Sequence, residues 1–118
     1  MTFHRGDIVI VSFPFSSGIG AKRRPALVVQ NDVNNQRLSN VIVAAITMTT
    51  HRSGQPTQFL LDVQSTIGRQ SGLLLDSVVT CENLATIETA LVFRRIGSVP
   101  ENAMQTVNAC LKSALGLS

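Results

Sequence analysis

Three consecutive cations, Lys22, Arg23 and Arg24, stand immediately before Pro25 and are the residues best suited to chemistry in this chain. A guanidinium can bind a phosphate through two parallel hydrogen bonds, so the group could hold a phosphodiester and stabilise charge on it. Because Pro25 disfavours the helical region for the residue before it, we expect Arg24 to be extended and close to a sheet. On residue types alone, a solvated basic loop is the simpler interpretation.

Thr47 offers a hydroxyl at the end of an apolar run, and it could act on the same phosphate only if the fold brings it beside Arg24. Threonine also favours strands for ordinary packing reasons, and spacing does not decide between the two interpretations. No metal site is predicted, because His4 and His51 lie far apart with no His, Cys or carboxylate at ligand spacing. We therefore expect no metal and no other cofactor.

The two cysteines, Cys81 and Cys110, lie in apolar stretches and are predicted to be reduced, buried thiols. The N-terminal charges are followed by no apolar run, so no signal peptide is expected. No stretch of the sequence reaches the length of a membrane span. Together these features predict a cytoplasmic protein without a membrane partner.

A length of 118 residues and a hydrophobic content of 44% predict one globular domain over residues 1–118. Five Phe are the only aromatic residues, which limits the base stacking that single-stranded nucleic-acid binders use. Residues 1–59 carry six Lys or Arg against two Asp or Glu, whereas residues 60–118 carry four against five. A basic first half suggests a polyanionic or an acidic protein partner, and a basic loop kept for solubility would explain it as well.

Short β-rich runs must position these side chains. Seven runs predict strands, at residues 7–13, 25–30, 41–47, 58–63, 73–80, 84–87 and 91–96. Several of them are apolar on both faces, as a closed barrel or a covered sheet requires. Turn-forming residues between them predict loops at 16–20, 31–40, 53–56 and 65–72.

The C-terminal segment has the clearest helical pattern. Ser98, Pro100 and Glu101 have the spacing of a capping box with Ser98 as N-cap, and Gly116 is a suitable end. One apolar stripe at helical spacing predicts packing on the sheet, and it consists of Met104, Val107, Leu111, Ala114 and Leu115. The predicted fold class is mainly β (α+β), a small curved β-barrel with a C-terminal helix packed on it. SH3-like barrels have this architecture, and periodicity alone does not separate them from OB-like barrels.

Four segments, in this order, resemble the MazF/PemK/Kid family of toxin endoribonucleases. They read Gly-Asp-Ile-Val at 6–9, Arg-Pro-Ala-Leu-Val-Val-Gln-Asn-Asp at 24–32, Ile-Val-Ala-Ala-Ile-Thr at 42–47 and Asp-Ser-Val-Val at 76–79. The resemblance implies an SH3-like barrel that forms a homodimer and a single toxin domain. It implies sequence-specific cleavage of single-stranded RNA, often mRNA, without a metal. It also implies an acidic antitoxin whose disordered tail fills the RNA groove.

By the same resemblance, Arg24 and Thr47 are the catalytic residues. Residues 15–23 resemble the flexible loop over the family's groove, which assigns RNA contacts to Phe15, Lys22 and Arg23. Phe15 could stack on a base or pack the loop onto the barrel. RNA contacts are also expected from Asn31, Asp32, His51 and Glu82.

The amide-rich segment that begins at Asn31 and Asp32 could read unstacked bases, and turn formation explains it about equally well. His51 and Glu82 are possible general bases. Many relatives read Asp-Gln-Ile/Leu-Arg-Thr where residues 82–86 read Glu-Asn-Leu-Ala-Thr, and some carry Arg where this chain has Thr80. Ala85 therefore replaces a basic residue, and the loop before Lys22 lacks a Glu found in several relatives. These differences bear on the RNA sequence that is cut and leave Arg24 and Thr47 intact.

The implied reaction uses the substrate's own 2′-hydroxyl as nucleophile and leaves a 2′,3′-cyclic phosphate and a 5′-hydroxyl. A preorganised guanidinium at Arg24 would stabilise the charge that develops on the phosphate. Two other classes of function remain. One is a non-enzymatic toxin that poisons DNA gyrase, as CcdB does, and the other is an RNA-binding barrel without activity. The retained Arg24 and Thr47 favour the enzyme.

Overall fold

The computed structural model describes residues 2–50 and 53–118 of the chain. Within these ranges the strands are β1 (Asp7–Pro14), β2 (Ala21–Val28), β3 (Asn40–Thr47), β4 (Gln58–Leu61), β5 (Ser77–Glu88) and β6 (Val92–Ser98). The helices are α1 (Asp32–Arg37), α2 (Thr66–Gln70) and α3 (Glu101–Leu115), and Thr89–Leu91 form a 3₁₀ turn. No helix in the described part of the chain is long and apolar enough to cross a membrane.

The six strands form one antiparallel sheet in the order β4-β5-β3-β2-β1-β6. One face packs against α3 through a cluster that includes Ile8, Leu27, Met104 and Val107. The sheet curls so that its other face encloses a second cluster, which includes Val9, Val11, Ala26, Val43 and Ile87. The predicted fold class, a mainly β, curved sheet with a C-terminal helix packed on it, is confirmed. Burial on both faces explains why the strands lack simple alternation of polar and apolar residues.

The observed strands differ from the predicted ones mainly in two places. β2 begins at Ala21 and not at Pro25, because residues 21–25 already pair with β1. The segments predicted at 73–80 and 84–87 are one strand, β5, which continues through a register shift. Residues 73–76 lie outside that strand, since Gly72 turns the chain with a φ of 75° and Leu74 is 91% exposed.

The N-terminus of α3 differs from the predicted capping box. Ser98 belongs to β6, where it pairs with Asp7, and the N-cap is Pro100, which makes no side-chain cap hydrogen bond. Pairing of Ser98 in the sheet takes precedence over a local cap. The predicted end is confirmed: Gly116 adopts a left-handed conformation, and its amide donates to the Lys112 and Ser113 carbonyl oxygens.

Short helices occupy two segments that were predicted as loops. Asn31 caps α1 by accepting from the Asn34 amide, and Ser65 caps α2 by accepting from the Gly68 amide. Asn31 and Ser65 therefore act as helix caps, a role that both residue types often have at the start of a helix. Neither helix buries an apolar side chain, so their apolar periodicity is weak.

The prediction of two buried thiols is confirmed. Cys81 on β5 and Cys110 on α3 are free and buried. Burial raises the pKa of Cys81 to about 12, with smaller contributions from Cys110 and Glu82. Burial also raises the pKa of Cys110. Both side chains are therefore neutral thiols at physiological pH, and they pack as small apolar groups.

Candidate active site

An open cavity of about 320 Å³ lies where β2, β3, β4 and β5 meet at one end of the curled sheet. Among the described residues, one cation, one carboxylate, three hydroxyls and two amides line it. The lining residues are Arg24, Thr47, Thr49, Gln58, Thr80, Glu82 and Asn83. Such a mixture of one guanidinium with neutral donors and acceptors can hold a phosphate and the polar groups next to it.

Strand register points Arg24 and Thr47 to the same face of the sheet. β2 pairs with β3 through Ala26 with Ala45, and Val28 with Val43. The period of two along a strand gives Arg24 the face of Ala26 and Thr47 the face of Ala45, and paired residues share a face. The two predicted catalytic residues therefore reach the same cavity, although they are 23 positions apart in the sequence.

Pro25 helps to create this cavity. The ladder between β2 and β3 begins only at Ala26, one residue beyond the proline, which has no N–H to donate. β2 continues to pair with β1 on its other side, where Arg24 lies opposite Val11. The gap between β2 and β3 thus opens where Arg24 emerges, half-buried, while its backbone stays fixed by β1.

A bulge in β5 brings Glu82 and Asn83 to the cavity. Ala44 of β3 pairs with Leu84, whereas the next residue, Ala45, pairs with Thr80. The three residues in between have no partner on β3, so the strand bends there and redirects their side chains. Thr80, on the near side of the bulge, donates its hydroxyl to the Ala45 carbonyl oxygen at 2.8 Å.

Glu82 is tied to the neighbouring strand. The Gln58 amide nitrogen Nε2 donates to Glu82 Oε2 at 2.7 Å. On the opposite wall, the Thr47 hydroxyl oxygen accepts from the Thr49 amide at 3.2 Å. These bonds hold the polar side chains of the cavity in defined orientations before any ligand is present, which is the arrangement that efficient sites use.

The other predicted basic residues divide between the two faces of β2. Lys22 has the same parity as Arg24 and lies on the cavity face, exposed, opposite Phe13. Arg23 has the opposite parity, and its guanidinium stacks over the Phe93 ring at 3.8 Å from the centroid. The structure therefore does not bring Arg23 to the cavity. The Arg24 guanidinium lies 5.6 Å from the Phe13 ring centroid, on the cavity side.

The remaining predicted contacts lie elsewhere. Phe15 sits in the turn between β1 and β2, 46% exposed, and is not among the cavity's lining residues. Asn31 and Asp32 lie past the other end of β2, where Asn31 caps α1 and Asp32 Oδ1 accepts from the Arg5 amide at 2.7 Å. That backbone hydrogen bond is the main reason why the pKa of Asp32 is lowered. His51 lies outside the described residues.

Four of the lining residues were not predicted. Thr49 and Asn83 gave no signal in the sequence, and Gln58 began a predicted strand without any chemical indication. Thr80 drew attention only as a departure from related sequences. Their common property is position: each reaches the cavity through strand pairing or through the β5 bulge, which depend on the tertiary fold.

A second depression, of about 420 Å³, lies between the segments that follow β3 and β4 and the segment that precedes β5, and it is less suited to an anion. Its lining includes exposed Met48, Leu74 and Leu75, and the one ionisable residue among its described lining residues, Asp76, accepts from the Val63 amide. No group of three or more His, Cys, Asp or Glu that could hold a metal occurs in the two described stretches. The Arg24 cavity is therefore the candidate active site.

Comparison with known proteins agrees with this assignment. A family model of PemK-like, MazF-like toxins of type II toxin–antitoxin systems matches residues 4–115. The chain belongs to this family. The resemblance to MazF/PemK/Kid proteins, inferred from four short segments of sequence, is thereby confirmed over nearly the whole chain.

Members of the family with established names cover the chain almost completely. Endoribonuclease EndoA of Bacillus subtilis is 30% identical over 120 residues, which are 99% of this chain and 97% of that protein. Endoribonuclease MazF6 of Mycobacterium tuberculosis is 36% identical over 105 residues, which are 88% of each. A solved structure of a mycobacterial endoribonuclease in complex with its cognate antitoxin matches with a TM-score of 0.76 at 25% identity, over 98% of this chain and 97% of that one.

Proposed function

We propose that this MazF-family toxin is an endoribonuclease that cleaves single-stranded RNA at specific sequences, without a metal, at the Arg24 cavity. The observation that carries the proposal is that Arg24 on β2 and Thr47 on β3 line the same open polar cavity. Its relatives named endoribonuclease span nearly the full chain and support the same reaction class.

Arg24 is the charge stabiliser in the proposed reaction. The 2′-hydroxyl of the substrate attacks the adjacent phosphorus in line, and negative charge grows on the non-bridging oxygens. A guanidinium that is already oriented can stabilise this charge, and one such donor typically contributes about 10²–10³ in rate. The half-buried position of Arg24, with its backbone fixed by β1, supplies the required preorganisation.

Thr47 is the orienting group. Its hydroxyl accepts from the Thr49 amide, so its own proton points away from that amide and is available to a phosphate oxygen. Alignment of the 2′-hydroxyl, the phosphorus and the leaving oxygen supplies much of the rate in such reactions. Since the nucleophile belongs to ribose, the products are a 2′,3′-cyclic phosphate and a 5′-hydroxyl, and DNA is not cut.

Partners follow from the same site. Lys22, exposed on the cavity face, extends the positive surface along the bound strand. A solved relative is an endoribonuclease in complex with its cognate antitoxin, and the basic first half of this chain suits an acidic protein as well as RNA. We therefore include inhibition by a cognate antitoxin and a homodimeric assembly in the proposal.

The test is cleavage of a long unstructured RNA in excess EDTA by purified, antitoxin-free protein. We expect discrete cuts whose ends carry the 2′,3′-cyclic phosphate and the 5′-hydroxyl. A folded protein that cuts no RNA would contradict the proposal. Gyrase-dependent DNA breaks without RNA cleavage would instead support the gyrase-poison class.

A further inference from the structure

The nitrogen and the oxygen of the Gln58 side-chain amide differ in their hydrogen bonding. Its nitrogen Nε2 donates to Glu82 Oε2 at 2.7 Å. Its oxygen Oε1 is buried and has no hydrogen-bond partner in the part of the chain that the structure describes. Gln58 also lines the cavity that holds Arg24 and Thr47. A buried, unpaired acceptor at the wall of a polar cavity calls for an explanation.

Glu82 fixes which end of the amide is unpaired. An ionised carboxylate accepts hydrogen bonds and cannot donate them. Rotating the Gln58 amide by half a turn would place its oxygen against the Glu82 oxygen and leave two N–H groups buried without partners. The observed orientation is therefore the stable one, and the group left over for a ligand is an acceptor.

The backbone of Gln58 is held from two sides. The backbone N–H of Gln58 donates to the Gln55 carbonyl oxygen at 3.0 Å. The backbone carbonyl oxygen of Gln58 accepts from the Cys110 thiol on α3 at 3.6 Å. Gln58 also pairs with Thr80 across the ladder. The unpaired acceptor is thus attached to a fixed backbone, and only the terminal amide torsion, which is broad, needs to adjust when a donor arrives.

The chemistry of RNA limits which donor this acceptor can meet. Phosphate oxygens are acceptors and do not bond to an amide oxygen. β5 and β3 lie between β4 and β2 in the sheet, so Gln58 contacts a different part of the RNA from the phosphate at Arg24. Unstacked bases present donors on their Watson–Crick edges, among which the exocyclic amino groups of adenine, cytosine and guanine are the most accessible.

We propose that Gln58, oriented by Glu82, is a specificity-determining residue that selects a base with an exocyclic amino group at one position of the cleaved RNA. The inference rests on the proposed endoribonuclease function. A ligand with that amino group satisfies the buried oxygen, and one without it leaves the oxygen unpaired, which is how sites built around hydrogen bonds reject close analogues. Glu82 acts through Gln58 and is a positioning residue.

The experiment uses the full-length protein and an oligoribonucleotide that contains one mapped cut site. Each base in turn loses its amino group: purine replaces adenine, hypoxanthine replaces guanine and pyrimidin-2-one replaces cytosine. At one position we expect wild-type kcat/KM to fall by about 10-fold to 100-fold. Gln58→Leu should cleave the parent and the altered RNA at equal rates, whereas the control Gln64→Leu, at the second depression, should keep the wild-type ratio.

Glu82→Gln tests the positioning role. An amide in place of the carboxylate can donate as well as accept, so the Gln58 amide is free to turn. The ratio between the rates on the parent and the altered RNA should fall towards one, whatever the change in the absolute rate of cleavage. A merely structural role of Glu82 would lower both rates together and leave the ratio unchanged.

Several results would overturn the inference. If no position is sensitive to loss of an amino group, or if Gln58→Leu keeps the full ratio, the inference is wrong while the endoribonuclease function stands. A sugar hydroxyl is the alternative donor. If removing the 2′-hydroxyl of a non-reacting ribose lowers the cleavage rate in a way that depends on Gln58, and removing base amino groups does not, the donor is the sugar and base selection is contradicted. Absence of any cleavage would overturn the function and the inference together. Should Gln58→Leu fail to fold, Gln58→Met takes its place with the same expected ratio.

Discussion

Arg23 and Arg24 are neighbours in the sequence and face opposite sides of β2. Arg24 reaches the polar cavity, whereas the Arg23 guanidinium stacks on Phe93. Alternation along the strand, set by register with β1, distinguishes two residues that composition treats as equal. The proposed chemistry therefore depends on one guanidinium among three adjacent cations.

Replacing Arg24 by Ala should lower the rate of RNA cleavage by about 10²–10³, because the charge that develops on the phosphate loses its preorganised donor. Single-turnover cleavage of an oligoribonucleotide measures this change. Arg69→Ala removes the same charge from the exposed surface of α2 and should leave the rate within about twofold of the wild type. Equal losses in the two variants would show that Arg24 contributes only to net charge.

At the residue scale, the sequence alone identified the side chains whose types suggest chemistry. The Arg24-Pro25 pair and Thr47 were found, and the structure brings both side chains to one cavity. Gln58 could not be found in this way, because its importance lies in an orientation set by Glu82 across two strands. Asn31 and Asp32, with equally suggestive types, make local capping and backbone bonds instead.

At the scale of elements, α2 packs closely against the segment that follows β4 on one side and against β6 on the other. A Cβ atom added to Gly68 would lie 1.7 Å from the Asp62 carbonyl oxygen, and one added to Gly97 would lie 2.3 Å from the Ser71 backbone. Both contacts are with backbone atoms, which cannot rotate away. Glycine at these positions permits the close approach that holds the segment before β5 in place.

Gly68→Ala should therefore destabilise the protein by about 3 kcal/mol, since the helix or the Asp62 backbone must move to admit the methyl group. Denaturant unfolding followed by circular dichroism measures the free energy of unfolding. Gly54→Ala is the matched control: nothing lies within 4 Å of its Cβ position, and its effect should stay within about 0.5 kcal/mol. Similar stabilities for the two variants would contradict the close packing of α2.

Because of the buried thiols between β5 and α3, we expect the free energy of unfolding to depend on pH in the alkaline range. The pKa of Cys81 is about 12 in the folded chain and 9.0 as its ordinary value, so the unfolded chain loses this proton first as pH rises. The contribution of the Cys81 thiol to stability is complete below about pH 9 and is lost as pH rises towards 12. The free energy of unfolding falls over this range by no more than about 1.4 kcal/mol per pH unit. Unfolding free energies between pH 8 and pH 10.5 should fall more steeply for the wild type than for Cys81→Ala, and parallel curves would refute this role.

The elements themselves were predicted unevenly, for physical reasons. The β1, β3 and α3 patterns are long and apolar enough to specify their elements alone. The continuity of β5 was missed because Cys81, Glu82 and Asn83 interrupt the pattern at the bulge, and only pairing with β3 shows that the strand continues. The Ser98 cap was wrong because a tertiary strand pairing overrode a local signal.

At the scale of the whole molecule, curling of one sheet explains both the fold and the site. The enclosed face holds Val9, Val11 and Val43, and the same face carries Arg24 and Thr47 at its open end. The apolar interior thus ends in a polar mouth, where the two proposed catalytic side chains stand on β2 and β3. Of the cations in the first half of the chain, Lys22 and Arg24 on β2 lie on this face.

The central claim is that the bound RNA supplies its own nucleophile at the Arg24 cavity. The most direct measurement is single-turnover cleavage, in EDTA, of an oligoribonucleotide with one mapped cut site beside the same oligomer carrying a single 2′-deoxyribose on the 5′ side of that bond. We predict rapid cleavage of the first, with a 2′,3′-cyclic phosphate end, and no cleavage of the second at that bond, although both bind. Cleavage of the deoxy-substituted bond at a comparable rate would contradict the account.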